Sequence, residues 1–194
     1  MIQLLLYAAL FLDPMDPQLN EEAWDICPCQ IRGKETQQIV DQMFQIGCEE
    51  GFSAPQIGIQ KSVILVNLAA VGAEPQLKEF INPQIVWRSE EKTLDQEGCV
   101  STGHIHGIVP RAEKINVRSY DRECRLSVQE FSGHTARIFQ HEIDHLDGIR
   151  FPDRIENDDD LHWVEPEELP SYQAGWLHWE KKAPREVWLR IKNR

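Results

Sequence analysis

From Lys34 to about Glu50 the apolar residues Ile39, Met43, Phe44 and Ile46 recur at near-helical spacing. This predicts an amphipathic helix whose end is marked by Gly47 and Gly51. Short runs rich in β-branched residues follow at Val63–Asn67, Phe80–Trp87, Ile105–Val109, Ile115–Tyr120 and Leu126–Phe131, each predicting a strand. The last two flank Asp121-Arg122-Glu123-Cys124, a candidate hairpin turn. A second helix is expected from Ser132, a good N-cap, to Gly148, a good C′ residue. The order helix, several strands, helix predicts an α+β domain, and no internal repeat is found.

Before this patterned region the chain reads as loop over residues 13–33, where Pro14, Pro17 and Pro28 remove donors and restrict φ. Cys27-Pro28-Cys29 is a weak metal signal and is expected to be two free thiols. The apolar run Met1–Leu12 is too short to span a bilayer and lacks a basic n-region and cleavage site, so it is expected to be a packed edge segment or a partner-binding strand.

Composition narrows the picture. With 194 residues, 41% apolar and 27% charged, the sequence fits one globular domain. A net charge of -12 disfavours DNA and other nucleic acids. The charge is uneven: residues 152–168 hold eight carboxylates and one Arg, whereas residues 176–194 hold six Lys or Arg and two Glu. Five cysteines, at 27, 29, 48, 99 and 124, form no regular framework and fit a reducing compartment better than secretion.

The second predicted helix carries His141-Glu142-Ile143-Asp144-His145, an HExxH motif. At about 100° per residue from Ala136, the apolar Ile138, Phe139, Ile143 and Leu146 fall between roughly 200° and 340°. His141 and His145 fall beside that face and Glu142 inside it, so three polar groups are aimed at the interior. Arg137, Gln140, Asp144 and Asp147 fall between about 20° and 100°, the expected solvent side, which makes Asp144 a poor metal ligand. Two histidines leave a tetrahedral site one protein ligand short if the fourth position is kept for water. Asp147, Asp153, the Asp158 to Asp160 cluster and Cys99 are all candidates, and spacing does not choose among them.

Three motifs together, Gly51-Phe52-Ser53-Ala54-Pro55-Gln56-Ile57, Glu97-Gly98-Cys99-Val100-Ser101 and His141-Glu142-Ile143-Asp144-His145-Leu146-Asp147-Gly148, resemble those of peptide deformylases in order and approximate spacing, and Val109-Pro110-Arg111-Ala112-Glu113-Lys114 adds a fourth stretch. The resemblance covers residues 34–154. Residues 1–33 then form a divergent N-terminal segment and 155–194 an acidic-then-basic extension. It implies small antiparallel or mixed sheets packed around a central HExxH helix. It also implies one divalent ion on Cys99, His141 and His145, Fe2+ in the cell with Zn2+, Ni2+ or Co2+ able to substitute. A thiolate with two imidazoles suits such borderline-soft ions. Glu97 shares a strand face with Cys99 and is expected either to support the ligands or to pair with Arg111.

The implied reaction is removal of the N-formyl group from formyl-methionine peptides, releasing formate. Glu142 is the implied acid and base, and the Gln56 amide and the Val100 N–H the implied donors to the developing oxyanion. The sequence departs from the family pattern at Glu49 (commonly glycine), Ser53 (alanine) and Gly103 (proline in bacterial members); Glu49 is expected to tilt the loop carrying Gln56.

The resemblance also places the substrate's methionine side chain between the residue preceding Gly51 and the turn before His141. The corresponding residues are Glu50, Gly51, His134, Arg137 and Ile138. Glu50 and Arg137 are expected to pair at the rim, giving a wider, more polar and less methionine-selective mouth. Two rival readings are a zinc peptidase or amidase using a downstream carboxylate, and a non-catalytic peptide-binding homologue. Formylated substrates point to a bacterial cytoplasm, with an organelle second, and no membrane span is expected. The basic tail, with Trp176, Trp179 and Trp188, is expected either to contact the ribosome or to pack on the acidic segment 152–168.

Overall fold

Val63-Ile64-Leu65-Val66 is apolar without alternation because both faces of its strand are covered. Ile64 and Val66 lie in one apolar core with the HExxH helix, while Val63 and Leu65 lie in another with the first helix. The computed structural model that shows this describes residues 10–69 and 73–193. The run Met1–Leu12, expected to be an edge segment, falls outside the described residues up to position 9. Phe11, just after them, packs edge-on against Phe52 with ring centroids 5.6 Å apart.

In chain order the elements are α1 (Lys34–Ile46), β1 (Gly51–Ser53), β2 (Val63–Asn67), β3 (Leu77–Arg88), β4 (Lys92–Gly98), β5 (Ile105–Ala112), β6 (Lys114–Tyr120), β7 (Leu126–Ser132), α2 (Gly133–Leu146), β8 (Leu161–Trp163), α3 (Leu169–Gly175) and α4 (Arg185–Lys192). The protein is α+β with two antiparallel sheets, ordered β1-β2-β3-β6-β7 and β4-β5-β8. Ala136, Ile138, Phe139, Ile143 and Leu146 of α2 pack with Phe80, Ile115 and Val117 of the larger sheet. Val40 and Met43 of α1 pack with Phe52 and Ile81 in the second core.

The expected hairpin joins β6 and β7. Asp121 Oδ1 accepts the N–H groups of Glu123 (3.0 Å) and Arg125 (2.9 Å), and Cys124 takes the left-handed conformation at φ 60°. The first helix stops at Ile46, four residues before Glu50, because Gly47 turns the chain at φ 68°. β4 and the three-residue β1 and β8 lay outside the predicted runs. Most of β4 is exposed or half-buried, so it carries little apolar alternation.

In the N-terminal region the loop reading holds and the free-thiol reading changes. Residues 13–33 are loop with two short 3₁₀ turns, yet Leu19, Ile26 and Ile31 are fully buried. Cys27 and Cys29, expected to be free thiols, are joined by a disulfide. The turn at Pro28 brings their Cα atoms to 5.2 Å, inside the range a disulfide requires.

The extension takes the packed form of the two expected. Trp188 is buried among Ile105, Val109 and Phe151, its indole N–H donates to Asp153 (2.9 Å), and the Arg150 guanidinium lies 4.5 Å from its ring centroid. Arg185 pairs with Asp158 (2.8 Å), Lys192 with Asp153 (2.7 Å), and Lys181 with Glu168. Among the described residues no helix is long and apolar enough to cross a membrane.

Candidate metal centre and active site

Helix α2 places His141 and His145 one turn apart, with ring centroids 5.0 Å apart. Cys99 enters from the other sheet, just after β4 ends at Gly98 and where a 3₁₀ turn over Val100–Thr102 begins. One ligand atom from each of Cys99, His141 and His145 lies within 4.8 Å of the others, and Cys99 Sγ is 3.4 Å from His145 Nε2. Among the described residues this is the single group of three or more His, Cys, Asp or Glu arranged to hold an ion. Of the rival third ligands, Asp153 is engaged elsewhere by Trp188 and Lys192 and Asp158 by Arg185, and none of the carboxylates named as rivals belongs to this group.

Glu97 organises the centre from below. Its Oε1 accepts from Arg111 Nε (2.9 Å) and Arg137 (2.8 Å), and its Oε2 accepts from a terminal nitrogen of Arg111 (2.9 Å) and from His141 Nδ1 (2.9 Å). Both expectations for Glu97 hold at once. Burial alone would raise its carboxyl, but the Arg111 and His141 hydrogen bonds hold it far below the usual carboxylate range. With Nδ1 donating to Glu97, His141 has Nε2 for a ligand. Burial opposes charge on both rings, yet the Cys99 thiol and Glu97 pull His141 well above its usual value. The chemistry of the donor set, one thiolate and two imidazoles, fits a divalent ion.

Gln56 is held by the 3₁₀ turn Ala54–Ile57. Its Oε1 accepts from Ser53 N (2.9 Å) and Ser53 Oγ (3.1 Å), so its Nε2 faces Cys99 Sγ (3.3 Å) and Ser101 Oγ (3.1 Å). Ser53, a departure from the family pattern, thus adds a second donor that orients this amide. Glu49 does not disturb it: its carbonyl accepts from Asn67 at 2.7 Å, and Gln56 remains 2% exposed. Gly103 sits at φ 65°, a conformation closed to proline.

Glu142 is buried, and its Oε2 has no hydrogen-bond partner. Burial, reinforced by the charges of Glu50 and Glu97 against the opposing pull of His141, pushes its carboxyl up to about 7. Gly51 lets β1 approach α2 closely: a Cβ there would meet Ile138 Cγ2 at 2.8 Å and Glu142 Cγ at 3.3 Å. Gly51, Ile138 and Glu142 therefore adjoin one another. Val100 opens the turn after Cys99 with an exposed side chain.

The expected Glu50–Arg137 pair does not form. Glu50 instead meets His134 Nε2 at 3.0 Å on the surface, while Arg137 is 6% exposed and turned into the Glu97 network. The predicted solvent side of α2 is likewise overturned, since Gln140 and Asp144 are as buried as Arg137, leaving Asp147 exposed. The β4–β5 hairpin covers that side and supplies partners: Gln140 bonds both the N–H and C=O of Ala112, at 3.0 and 2.9 Å. Ser101 and Arg150 were missed as supports. Arg150 donates to the Ser101 carbonyl (2.9 Å), holding the turn after Cys99. Ser101 lay within a recognised motif, whereas Arg150 carried no sequence signal.

Residues 10–160 match the sequence profile described as Polypeptide deformylase. The chain belongs to this family. It is 37% identical over 146 residues to a peptide deformylase of Heliobacterium modesticaldum, covering 74% of this chain and 91% of that one. It is 43% identical over 106 residues to one of Natranaerobius thermophilus, covering 55% of this chain and 65% of the relative. The latter match therefore spans just under two thirds of that relative's length. Among solved structures, a class I type b peptide deformylase of Acinetobacter baumannii with bound Met-Ala-Ser superposes with a TM-score of 0.69 at 31% identity, over 75% of this chain and 96% of that one. One from Ehrlichia chaffeensis gives 0.68 at 26% identity, over 76% and 88%. Membership in this deformylase family implies a divalent metal, which the Cys99, His141 and His145 donor set fits.

Proposed function

We propose that this chain is a peptide deformylase, a metal-dependent hydrolase that removes the formyl group from the N-terminal formyl-methionine of nascent polypeptides. The observation that carries the reading is the buried, unpartnered Oε2 of Glu142, one residue from His141 in a cluster fit to hold a cation. A zinc peptidase using Asp153 or Asp158 is less well supported, because those carboxylates are engaged by the extension.

Cys99, His141 and His145 would hold the ion, Fe2+ in the cell with Zn2+, Ni2+ or Co2+ as substitutes. When bound, it supplies a positive charge that acidifies water and polarises a carbonyl oxygen. Glu142, with a carboxyl poised near neutrality, takes a proton from the water that adds to the formyl carbon. Gln56 Nε2 and the Val100 N–H donate to the oxygen that gains charge as the carbon becomes tetrahedral. The C–N bond then breaks and Glu142 returns its proton to the departing amine, giving formate and a free N-terminus.

Gly51 and Ile138 form the inner wall for the first side chain, with Glu50 and His134 at the mouth. Arg137, expected at that mouth, turns into the Glu97 network instead. We assign residues 34–154 to catalysis and 155–194 to an extension braced on it. The site of action is the bacterial cytoplasm, with an organelle second. Ribosome contact through residues 176–194 has less support than packing, since Lys181, Arg185 and Lys192 pair within the chain.

The test is formate release from formyl-Met-Ala-Ser by metal-loaded protein kept reduced and free of oxygen. No release above the rate without protein refutes the proposal. Formyl-Leu and formyl-Gln analogues test the polar mouth, which predicts a methionine preference below about 10²-fold, within the range one methylene gives in an apolar pocket.

A further inference from the structure

Arg137 stands one helical turn before His141 on α2, and its guanidinium reaches three different places. One terminal nitrogen donates to Glu97 Oε1 (2.8 Å) and to the Val109 carbonyl (2.9 Å); the other donates to the Thr93 carbonyl (2.8 Å). Thr93 and Glu97 belong to β4, and Val109 to its partner β5. A single side chain thus ties the helix bearing His141 and His145 to the hairpin whose first strand leads into Cys99.

We propose that Arg137 is a positioning residue for the metal centre, clamping α2 to the β4–β5 hairpin and fixing Glu97, so that the two histidines meet Cys99 in a geometry ready for the ion. The inference rests on the reading of Cys99, His141 and His145 as ligands. Glu97 has four acceptor contacts, from Arg111 twice, Arg137 and His141. Removing Arg137 takes one of the two donors from Glu97 Oε1 and cuts the tie from α2 to β4 and β5, with the Thr93 and Val109 carbonyls losing a buried donor. Glu97 is then less firmly fixed, and so is the His141 ring that donates to it. The role depends on a planar fork of donors: lysine brings one compact ammonium and cannot span a carboxylate and two carbonyls in the same geometry. All of these contacts turn the Arg137 guanidinium toward β4 and β5 and away from the expected pairing with Glu50 at the mouth.

The experiment compares the full-length protein with Arg137→Met, Arg137→Lys and a control, Arg154→Met, which removes a partner of Asp144 on the same helix without touching Glu97. The Zn2+ dissociation constant is read by competition with a chromophoric chelator, and melting of each metal-free protein is recorded beside it. Arg137→Met is expected to bind Zn2+ about 10- to 100-fold more weakly, the usual cost of losing a group that orients metal ligands. Arg137→Lys is expected to lie between Arg137→Met and wild type, and Arg154→Met within about twofold of wild type. A folded Arg137→Met that binds Zn2+ as wild type does, or an Arg154→Met loss equal to that of Arg137→Met, overturns the proposal. If Arg137→Met fails to fold, Arg137→Lys decides in its place, wild-type affinity overturning the role. A wild-type protein that takes up no Zn2+ defeats the ligand assignment and this inference with it, an outcome distinct from equal binding by wild type and variant.

Discussion

Replacing Glu97 by Gln keeps the shape of a buried side chain that accepts four hydrogen bonds but changes its charge and half of its hydrogen bonding. Each carboxylate oxygen accepts two donors: Arg111 and Arg137 at Oε1, Arg111 and His141 at Oε2. An amide has one oxygen, so in either orientation its NH2 group confronts two N–H donors. Facing Oε1's donors, it opposes two guanidiniums. Facing Oε2's, it drives the His141 proton from Nδ1 to Nε2, the nitrogen proposed to bind the ion. Arg111 retains Asp144 at 2.5 Å, whereas Arg137 keeps two carbonyls and no anion. Leaving buried cations without their partner costs about 3–5 kcal/mol. For a chain of this size, that corresponds to a fall in Tm of roughly 6–20 °C, at about 2–4 °C per kcal/mol. Calorimetry of metal-free wild type and Glu97→Gln measures the stability loss, and chelator competition for Zn2+ measures a 10- to 100-fold affinity loss. A Tm within about 2 °C of wild type together with Zn2+ affinity within about twofold would falsify the account of Glu97 as the common anchor.

Glu142→Gln is expected to keep close to one metal equivalent while lowering turnover at least ~10²-fold, since acid and base work contributes ~10² to 10⁴; metal analysis beside formate assays checks both halves. His145→Ala should lose the ion, and a fully loaded variant contradicts the ligand assignment. Gly103→Pro should destabilise by more than ~1 kcal/mol in denaturant melts, because proline cannot adopt φ 65°. The His134–Glu50 bond raises His134 and lowers Glu50. Raised His134 stabilises below its unfolded pKa and loses that effect as pH rises through its folded one, while lowered Glu50 stabilises above its unfolded pKa and loses the effect as pH falls. The pair therefore contributes most between the two unfolded values, about 4.3 and 6.5. An NMR titration of His134 should show a midpoint above 6.5 that drops in Glu50→Gln, and an unmoved midpoint counts against the pair.

Both principal helices and five of the eight strands were legible in the chain, because each covers one face or both at least in part and so writes a period of 3.6 or a short β-branched run. The HExxH helix, Cys99 and Gln56 were legible as motifs, since their chemistry is local in sequence even where their partners are not. Choosing Cys99 over Asp153 or Asp158 on geometry needed the tertiary structure. Spacing along a chain carries no information about which strand end meets which helix 42 residues later.

The misread side of α2 shows the limit most clearly. A helical wheel divides residues by polarity and assigns the polar side to water, but here the β4–β5 hairpin covers that side and supplies partners for Arg137, Gln140 and Asp144. Polarity along one helix records what its side chains can bond to, and only the packing of a second element determines whether the partner is water or protein. The same distinction governs the ends of the chain. The alternation of acidic 152–168 and basic 176–194 determined that two segments of opposite charge would exist, while the burial of Trp188 and the pairing of Arg185 and Lys192 turned them toward each other. Cys27 and Cys29 carried the potential for a bond, and the turn at Pro28 set their Cα atoms close enough to make it. What the sequence determined by itself was which faces had to be covered and which donor atoms were present. What covers those faces, and which donors meet, followed from contacts between residues far apart in the chain, where the energetics of buried charge override the local pattern.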